Sequence, residues 1–216
     1  TPARPLTFPR ILLKDSADLD KDSLTDLEEE ILNTDSGVWD SDKDGYYDGQ
    51  EIFNLYNPTG FAPVRLVDSG LVREYVNPSW KYRIYYPASW LEASVDAAND
   101  HILFSSITGD FIEVRAIKNE QAEPFDVWFA NNIIGQSFTD LALVKNRFGV
   151  EFRKRSDSLA AYFVGNKVVF AVIYQPSGSA EDLFFRHIMQ MMYQSFRLSD
   201  ANMELSDQKI LPAPVQ

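Results

Sequence analysis

Cysteine is absent from this chain of 216 residues, and histidine occurs twice, at His101 and His187. The first absence excludes disulfides and thiolate zinc sites. The second leaves too few imidazoles for a histidine metal site. No run of about 18 apolar residues occurs, so no segment reads as a membrane-spanning helix. Excess positive charge is missing too: the formal net charge is −12, which argues against nucleic acid as a main partner. Familiar catalytic signatures are lacking, with no G-x-S-x-G, no H-E-x-x-H, no phosphate-cradling Gly-Lys loop and no dinucleotide fingerprint. A triad would need one of the two histidines. His187 reads as a solvated helix residue near Glu181 and Asp182, and His101, which begins a strand after Asn99-Asp100, reads as a turn residue. The chain is therefore expected not to be an enzyme.

What is present is acid, and it is segregated. Residues 15–51 hold fourteen acids against two bases, Lys21 and Lys43, while acids and bases balance over the rest of the chain. Inside that stretch one pattern occurs twice. Asp18, Asp20, Asp22, Asp26 and Glu29 occupy positions 1, 3, 5, 9 and 12 of a first loop. Asp40, Asp42, Asp44, Asp48 and Glu51 occupy the same positions of a second. This is the D-x-D-x-D-G spacing closed by Glu that surrounds calcium with oxygen, with the backbone carbonyl of position 7 (Leu24, Tyr46) as a further ligand. Like charges crowded this closely oppose folding unless a divalent cation joins them, so ion binding should contribute to the folding free energy. Two calcium ions are expected, with magnesium bound poorly because flexible all-oxygen cages suit the larger ion. Position 6 is Gly45 in the second loop but Ser23 in the first. A sharp turn there favours a residue without Cβ, so the first site should be the weaker.

These residues resemble the bacterial form of the thrombospondin type 3 repeat: the acidic loop, the Glu28-Glu29 helix start, and the Thr34-Asp35 step into the next loop. The resemblance covers about residues 15–60 and implies a calcium-binding spacer of secreted or envelope proteins. The family's Pro after Thr-Asp is replaced here by Ser36. Helices are read at Asp26–Asn33 and Asp48–Tyr56, with none of useful length before either loop. The unit is thus loop-helix-loop-helix, a staple and not the paired-helix sensor. Loops of this kind in extracellular modules bind calcium with Kd on the order of 10⁻⁴–10⁻³ M, which points outside the cytoplasm. The chain opens at Thr1 without Met and reads as a mature or trimmed product whose signal or anchor has been removed.

Five segments follow: an N-terminal arm at 1–14, the calcium module at 15–60, a proline-bearing linker at 61–70 expected to be stiff, a domain at 71–199 and a tail at 200–216. From Leu71 the apolar period becomes two, with strands read at LVREYVN, KYRIYYP, HILFSSI, DFIEVRAIK, LALVKN, RFGVEFRKR, SLAAYFVG and NKVVFAVIYQ. Gly109 and Gly165-Asn166 mark hairpins. Helices are read at Glu123–Ile134 and Ala180–Phe196. The fold class is α+β, an antiparallel sheet flanked by helices. The opening Tyr75, Asn77, Pro78, Trp80, Tyr82, Ile84, Tyr85, Tyr86, Pro87, Trp90 and the closing Ser195-Phe196-Arg197 are similar to the PsbP-like family. That likeness implies a non-enzymatic binding or assembly role. The opening's tryptophans and tyrosines could form a ligand platform but read first as core. Arg153-Lys154-Arg155 reads as the end of a strand that discourages edge pairing.

The leading expectation is a secreted or envelope-attached protein whose calcium-stapled spacer positions a domain that binds another envelope or surface protein. One alternative is a dockerin-like docking module, although Glu29 and Glu51 stand where dockerins usually close with Asp. Another is an enzyme or the accessory domain of one, with the sheet domain binding a small molecule or glycan.

Overall fold

The structure, a computed structural model, describes residues 6–7, 13–177 and 182–198. Most of the arm and the whole tail at 200–216 lie outside the described residues. So do Ala180 and Glu181, which were read as the start of the last helix.

Period-two segments build the frame. The strands are β1 (Val72–Val76), β2 (Tyr82–Pro87), β3 (Leu91–Ser94), β4 (His101–Ser105), β5 (Phe111–Lys118), β6 (Leu141–Lys145), β7 (Glu151–Arg155), β8 (Ala160–Gly165) and β9 (Val168–Gln175). Seven of them form one antiparallel sheet in the order β3-β4-β5-β9-β8-β7-β6. Gly109, at φ +91°, turns β4 into β5, and Gly165 pairs with Val168 to close the β8–β9 hairpin. Strand β3 was not read from the sequence, because LEAS has neither alternation nor strong β-formers, and all four residues are exposed. A second sheet runs Arg197–Leu198, β2, β1.

Alternation decides which face meets what. Tyr162, Val169, Ala171 and Ile173 point to a helix, α3 (Phe125–Asn132), which lays Phe125, Trp128 and Phe129 on that face. The opposite residues, among them Phe104, Val114, Phe163, Phe170 and Val172, form the larger core with β2 and the last helix, α4 (Arg186–Ser195). α4 buries Ile188, Met189, Met191, Met192 and Tyr193, each worth roughly 1.5–3 kcal/mol for a full-sized apolar side chain. It starts six residues later than the amphipathic pattern suggests. Asp182–Leu183 instead pair as a short strand with Lys14–Asp15.

The conspicuous aromatic opening is structural. Tyr82, Tyr85, Tyr86 and Trp90 are all buried in the larger core. Asn77 is buried and accepts the amides of Ser79 and Trp80, and the Trp80 indole donates to Asp100 at 2.7 Å. The closing residues act likewise. The Ser195 hydroxyl accepts from Tyr85 N at 2.8 Å, and Arg197 pairs with Glu74 beneath Phe148. The basic run does not guard an edge: β7 lies between β6 and β8, and the Arg153 guanidinium covers the Phe125 ring at 4.6 Å.

The acidic stretch carries α1 (Asp26–Leu32) and α2 (Asp48–Asn54), each preceded by its loop. Leu24, Leu32, Ile52 and Leu55 enter the same core cluster as α4 and the sheet. Leu66, inside the segment read as a linker, is fully buried in it too. Boundaries drawn at 60 and 71 therefore do not correspond to gaps in the packing. Polar ties reinforce the seam. Thr25 and Glu28 form a capping box on α1. Thr25 Oγ1 also donates to Phe184 O at 2.7 Å, while Glu28 Oε1 accepts Ile188 N at 2.9 Å in the first turn of α4. Glu28 thus caps a helix about 160 residues away. Among the described residues, no helix is long and apolar enough to cross a membrane.

Candidate metal centre

Each acidic loop curls because its first aspartate gathers the backbone amides that follow it. Asp18 accepts Lys21 N at 2.7 Å and Ser23 N at 3.2 Å. Twenty-two residues on, Asp40 accepts Lys43 N at 2.7 Å and Gly45 N at 2.8 Å. The duplication continues through Leu24 N to Asp22 and Tyr46 N to Asp44, Leu19 N to Asp26 and Ser41 N to Asp48, and Asp26 N to Ala17 O and Asp48 N to Trp39 O. Lys21 and Lys43 share a left-handed backbone, φ +67° and +66°.

Position 6 is left-handed in both loops: φ is +89° at Ser23 and +95° at Gly45. Gly adopts that region freely; Ser does so with strain. Ser23→Gly should raise stability by about 0.5–1 kcal/mol and tighten ion binding at the first loop only. A thermal melt and a calcium titration of the variant would check this. Unchanged values would show that the strain is absorbed elsewhere.

The curl brings the carboxylates together. Oxygens of Asp18, Asp20 and Asp22 lie within 4.8 Å of one another, and so do those of Asp40, Asp42 and Asp44. Glu29 and Glu51, carried on the first turns of α1 and α2, stand outside those triads but are buried. Both Glu51 oxygens, Glu29 Oε2, Asp20 Oδ2 and Asp42 Oδ2 are sealed from water without a hydrogen-bond partner. Burial, and then repulsion from Asp44, Asp42, Asp48 and Asp40, pushes Glu51 up to about 9. Burial and then Asp20, Asp22, Asp48 and Asp26 push Glu29 up to about 8. Asp22 rises to about 7 and Asp42 and Asp48 to about 6, with burial the main cause in each, and Asp20 is raised as well.

The remaining residues of the pattern are placed differently. Asp48 is fully buried and held by Ser41, whose amide and hydroxyl donate at 3.0 and 2.6 Å. Asp26 accepts Leu19 N at 3.0 Å. At position 7 the Leu24 side chain is in the main core, and Tyr46 packs with Tyr56. Glu28 and Ser41 were missed as members of the centre's surroundings. The T-x-x-E spacing from Thr25 to Glu28 was the available signal for the first.

This donor set fits a hard divalent cation. Buried carboxylate oxygens without a hydrogen-bond partner, facing other carboxylates, are what a cation would satisfy, and a hard cation takes oxygen ligands in numbers of this kind. An ion would be held by Asp18, Asp20, Asp22 and Glu29 in one loop and by Asp40, Asp42, Asp44 and Glu51 in the other. It would reverse the upward shifts, because a cation is the largest local charge in such a site.

The loops touch through Gly49. Its amide donates to Asp22 Oδ2 at 2.8 Å, and a Cβ built on it would meet Asp22 O at 2.5 Å. Gly49→Ala should therefore cost roughly 1–3 kcal/mol and weaken both loops together. Denaturant melts with parallel calcium titrations would check that, and loss at the second loop alone would contradict it.

Both histidines sit elsewhere. His187, on the first turn of α4, is pushed down to about 4 by burial and then by Arg186. His101 is not a turn residue. It opens β4, and its Nε2 lies 2.6 Å from Glu113, a buried carboxylate that also meets Arg115 at 2.7 Å and Gln175 at 2.8 Å. Burial raises Glu113, but His101 and Arg115 outweigh it and hold the carboxyl below its usual range.

No family model matches the chain, and neither does any curated protein. A 1.50 Å crystal structure from Bacteroides thetaiotaomicron is similar over 59% of this chain at 12% identity and a TM-score of 0.36. The matched part is 48% of that structure's chain, and at that TM-score the likeness carries no argument.

Proposed function

We propose that this is a non-enzymatic calcium-binding protein of the extracellular space or cell envelope. In this reading two calcium ions staple the loop-helix module onto an α+β domain, and that domain binds or assembles with another envelope or surface protein. The observation that carries it is the pair of partnerless, fully buried oxygens of Glu51, facing a triad of aspartates in a loop whose twin repeats the arrangement. Resemblance of residues 15–60 to the thrombospondin type 3 repeat, and of 71–199 to the PsbP-like family, points the same way.

The shared core changes what the staple does. Leu32, Ile52 and Leu55 pack against the domain. The ions would then lock a built-in wall of the fold, and not only set the pose of a spacer. The same burial counts against a dockerin-like reading, because the apolar faces of α1 and α2 are already covered.

Calorimetry on chelator-stripped protein tests the proposal. Two calcium ions should bind, the Asp40 loop more tightly than the Asp18 loop, and magnesium should give little heat. Absence of calcium binding at millimolar concentrations would reject it.

A further inference from the structure

The seam between the module and the sheet holds a cavity of about 360 Å³. It is walled by Phe53 and Asn54 from the end of α2, by Lys145 and Arg147 at and beyond the end of β6, and by Phe152 and Lys154 on β7. No carboxylate is among its lining residues, although the chain as a whole carries −12.

The three cations are incompletely neutralised. Lys145 meets Glu151 at 3.6 Å with both side chains mostly exposed, a pairing of little strength in water. Among the described residues, Lys154 Nζ meets a neutral hydroxyl, Ser158 Oγ, at 3.4 Å. Arg147 Nε donates to Asn54 O at 3.2 Å and its side chain also meets Tyr56, while its Nη2 is sealed from water and has no partner among the described residues. An unmade bond from a buried guanidinium is costly, and a carboxylate satisfies it best. Phe53 supplies an apolar wall beside these charges, and Phe152 lies beneath, buried against Phe163 and Tyr193.

We propose that this cavity binds a small organic anion. Its carboxylate lies between Arg147 and Lys154, with the guanidinium turning its orphan Nη2 towards it, and a flat apolar body rests on Phe53. The volume falls in the range of small-molecule sites. A second consequence rests on the calcium reading. Asn54 O, which seats Arg147, closes the helix that carries Asp48 and Glu51 of the second ion loop. Anion affinity should therefore depend on calcium at that loop.

The test uses the full chain with 2-naphthoate as probe and 2-naphthamide, the same body without charge, as control. Calorimetry and amide chemical shifts are read in saturating calcium and then in EDTA. Naphthoate should bind saturably, shift the amides of residues 53–54 and 144–147, and bind at least about tenfold more tightly than naphthamide. Arg147→Met and Lys154→Gln should each weaken naphthoate by about fivefold or more. If Arg147→Met does not fold, Lys154→Gln decides alone. Equal binding of acid and amide, shifts elsewhere, or unchanged affinity in the variants would overturn the site. In EDTA, naphthoate affinity should fall several-fold. Two bound calcium ions with unaltered naphthoate affinity would overturn the coupling. A sample that binds no calcium would reject the staple and the coupling together, while the acid and amide comparison still decides the cavity.

Discussion

Stripping calcium should lower Tm by on the order of 10–20 °C, and the whole chain should melt in one earlier transition. The magnitude follows from linkage. An ion that binds only the folded state at about a hundred times its Kd contributes about 2.7 kcal/mol per site. With Kd near 10⁻⁴ M, roughly 10 mM calcium reaches that regime. Two sites give about 5 kcal/mol, and each kcal/mol moves Tm by about 2–4 °C in a chain of this size. The single transition follows from the core: Leu32, Ile52 and Leu55 of the module pack in one cluster with Ile188 and Met192 of α4. Differential scanning calorimetry with and without EDTA reads both features. An unchanged Tm would refute the staple. A separate early step confined to the module would refute the shared core as a cooperative unit.

Glu51→Gln should change sign with conditions. In calcium it removes the closing ligand of the second loop and should forfeit most of that site's roughly 2.7 kcal/mol. Without calcium and below about pH 4.5, the carboxyl holds a proton in the folded and the unfolded chain alike, so Gln should be nearly neutral. As pH rises from about 5 to 9 the unfolded chain releases that proton while the folded carboxyl, pushed up to about 9, keeps it, so the variant should become progressively the more stable, by roughly 1–3 kcal/mol. The pH profiles follow. A carboxyl whose folded value is raised to about 9 from the ordinary 4.5 contributes stability that is present below pH 4.5 and is lost as pH rises through 9. Ion-free protein should weaken between about pH 5 and 9 for this reason, and Glu51→Gln should flatten that slope. With calcium bound, the folded carboxylates are held ionised, so stability should instead fall as pH drops through the carboxylate range. Urea melts at several pH values, with and without EDTA, compare the two slopes. The same slope in both conditions would show that Glu51 does not face an ion.

Much of the candidate centre was legible because it is local. Ligand positions 1 to 12 fall within a single turn of chain and the helix it enters, so spacing alone placed the aspartates, and Ser23 flagged its own strained position. The antiparallel hairpins at Gly109 and Gly165 were legible for the same reason. Strand β3 was not, because it pairs at the rim with no apolar face to reveal it. The start of α4 was misjudged because Asp182–Leu183 found strand partners at Lys14–Asp15, a choice no helical periodicity can foresee. His101 gained a buried carboxylate because β4 and β5 pair in a register that sets it near Glu113.

Local spacing of charge thus determined which carboxylates gather in each loop and which loop carries a side chain at the left-handed sixth position. Tertiary packing decided that those loops belong to the core of the sheet domain: Glu28 caps α4, Gly49 locks one loop onto the other, and Asn54 seats Arg147 at a cationic seam. The physical reason is range. Carboxylate crowding acts over a few residues of chain and is written in their spacing. Which apolar face covers which, and where a buried N–H finds its acceptor, depends on segments 27 to 160 residues apart, and closing the fold is what brings them together.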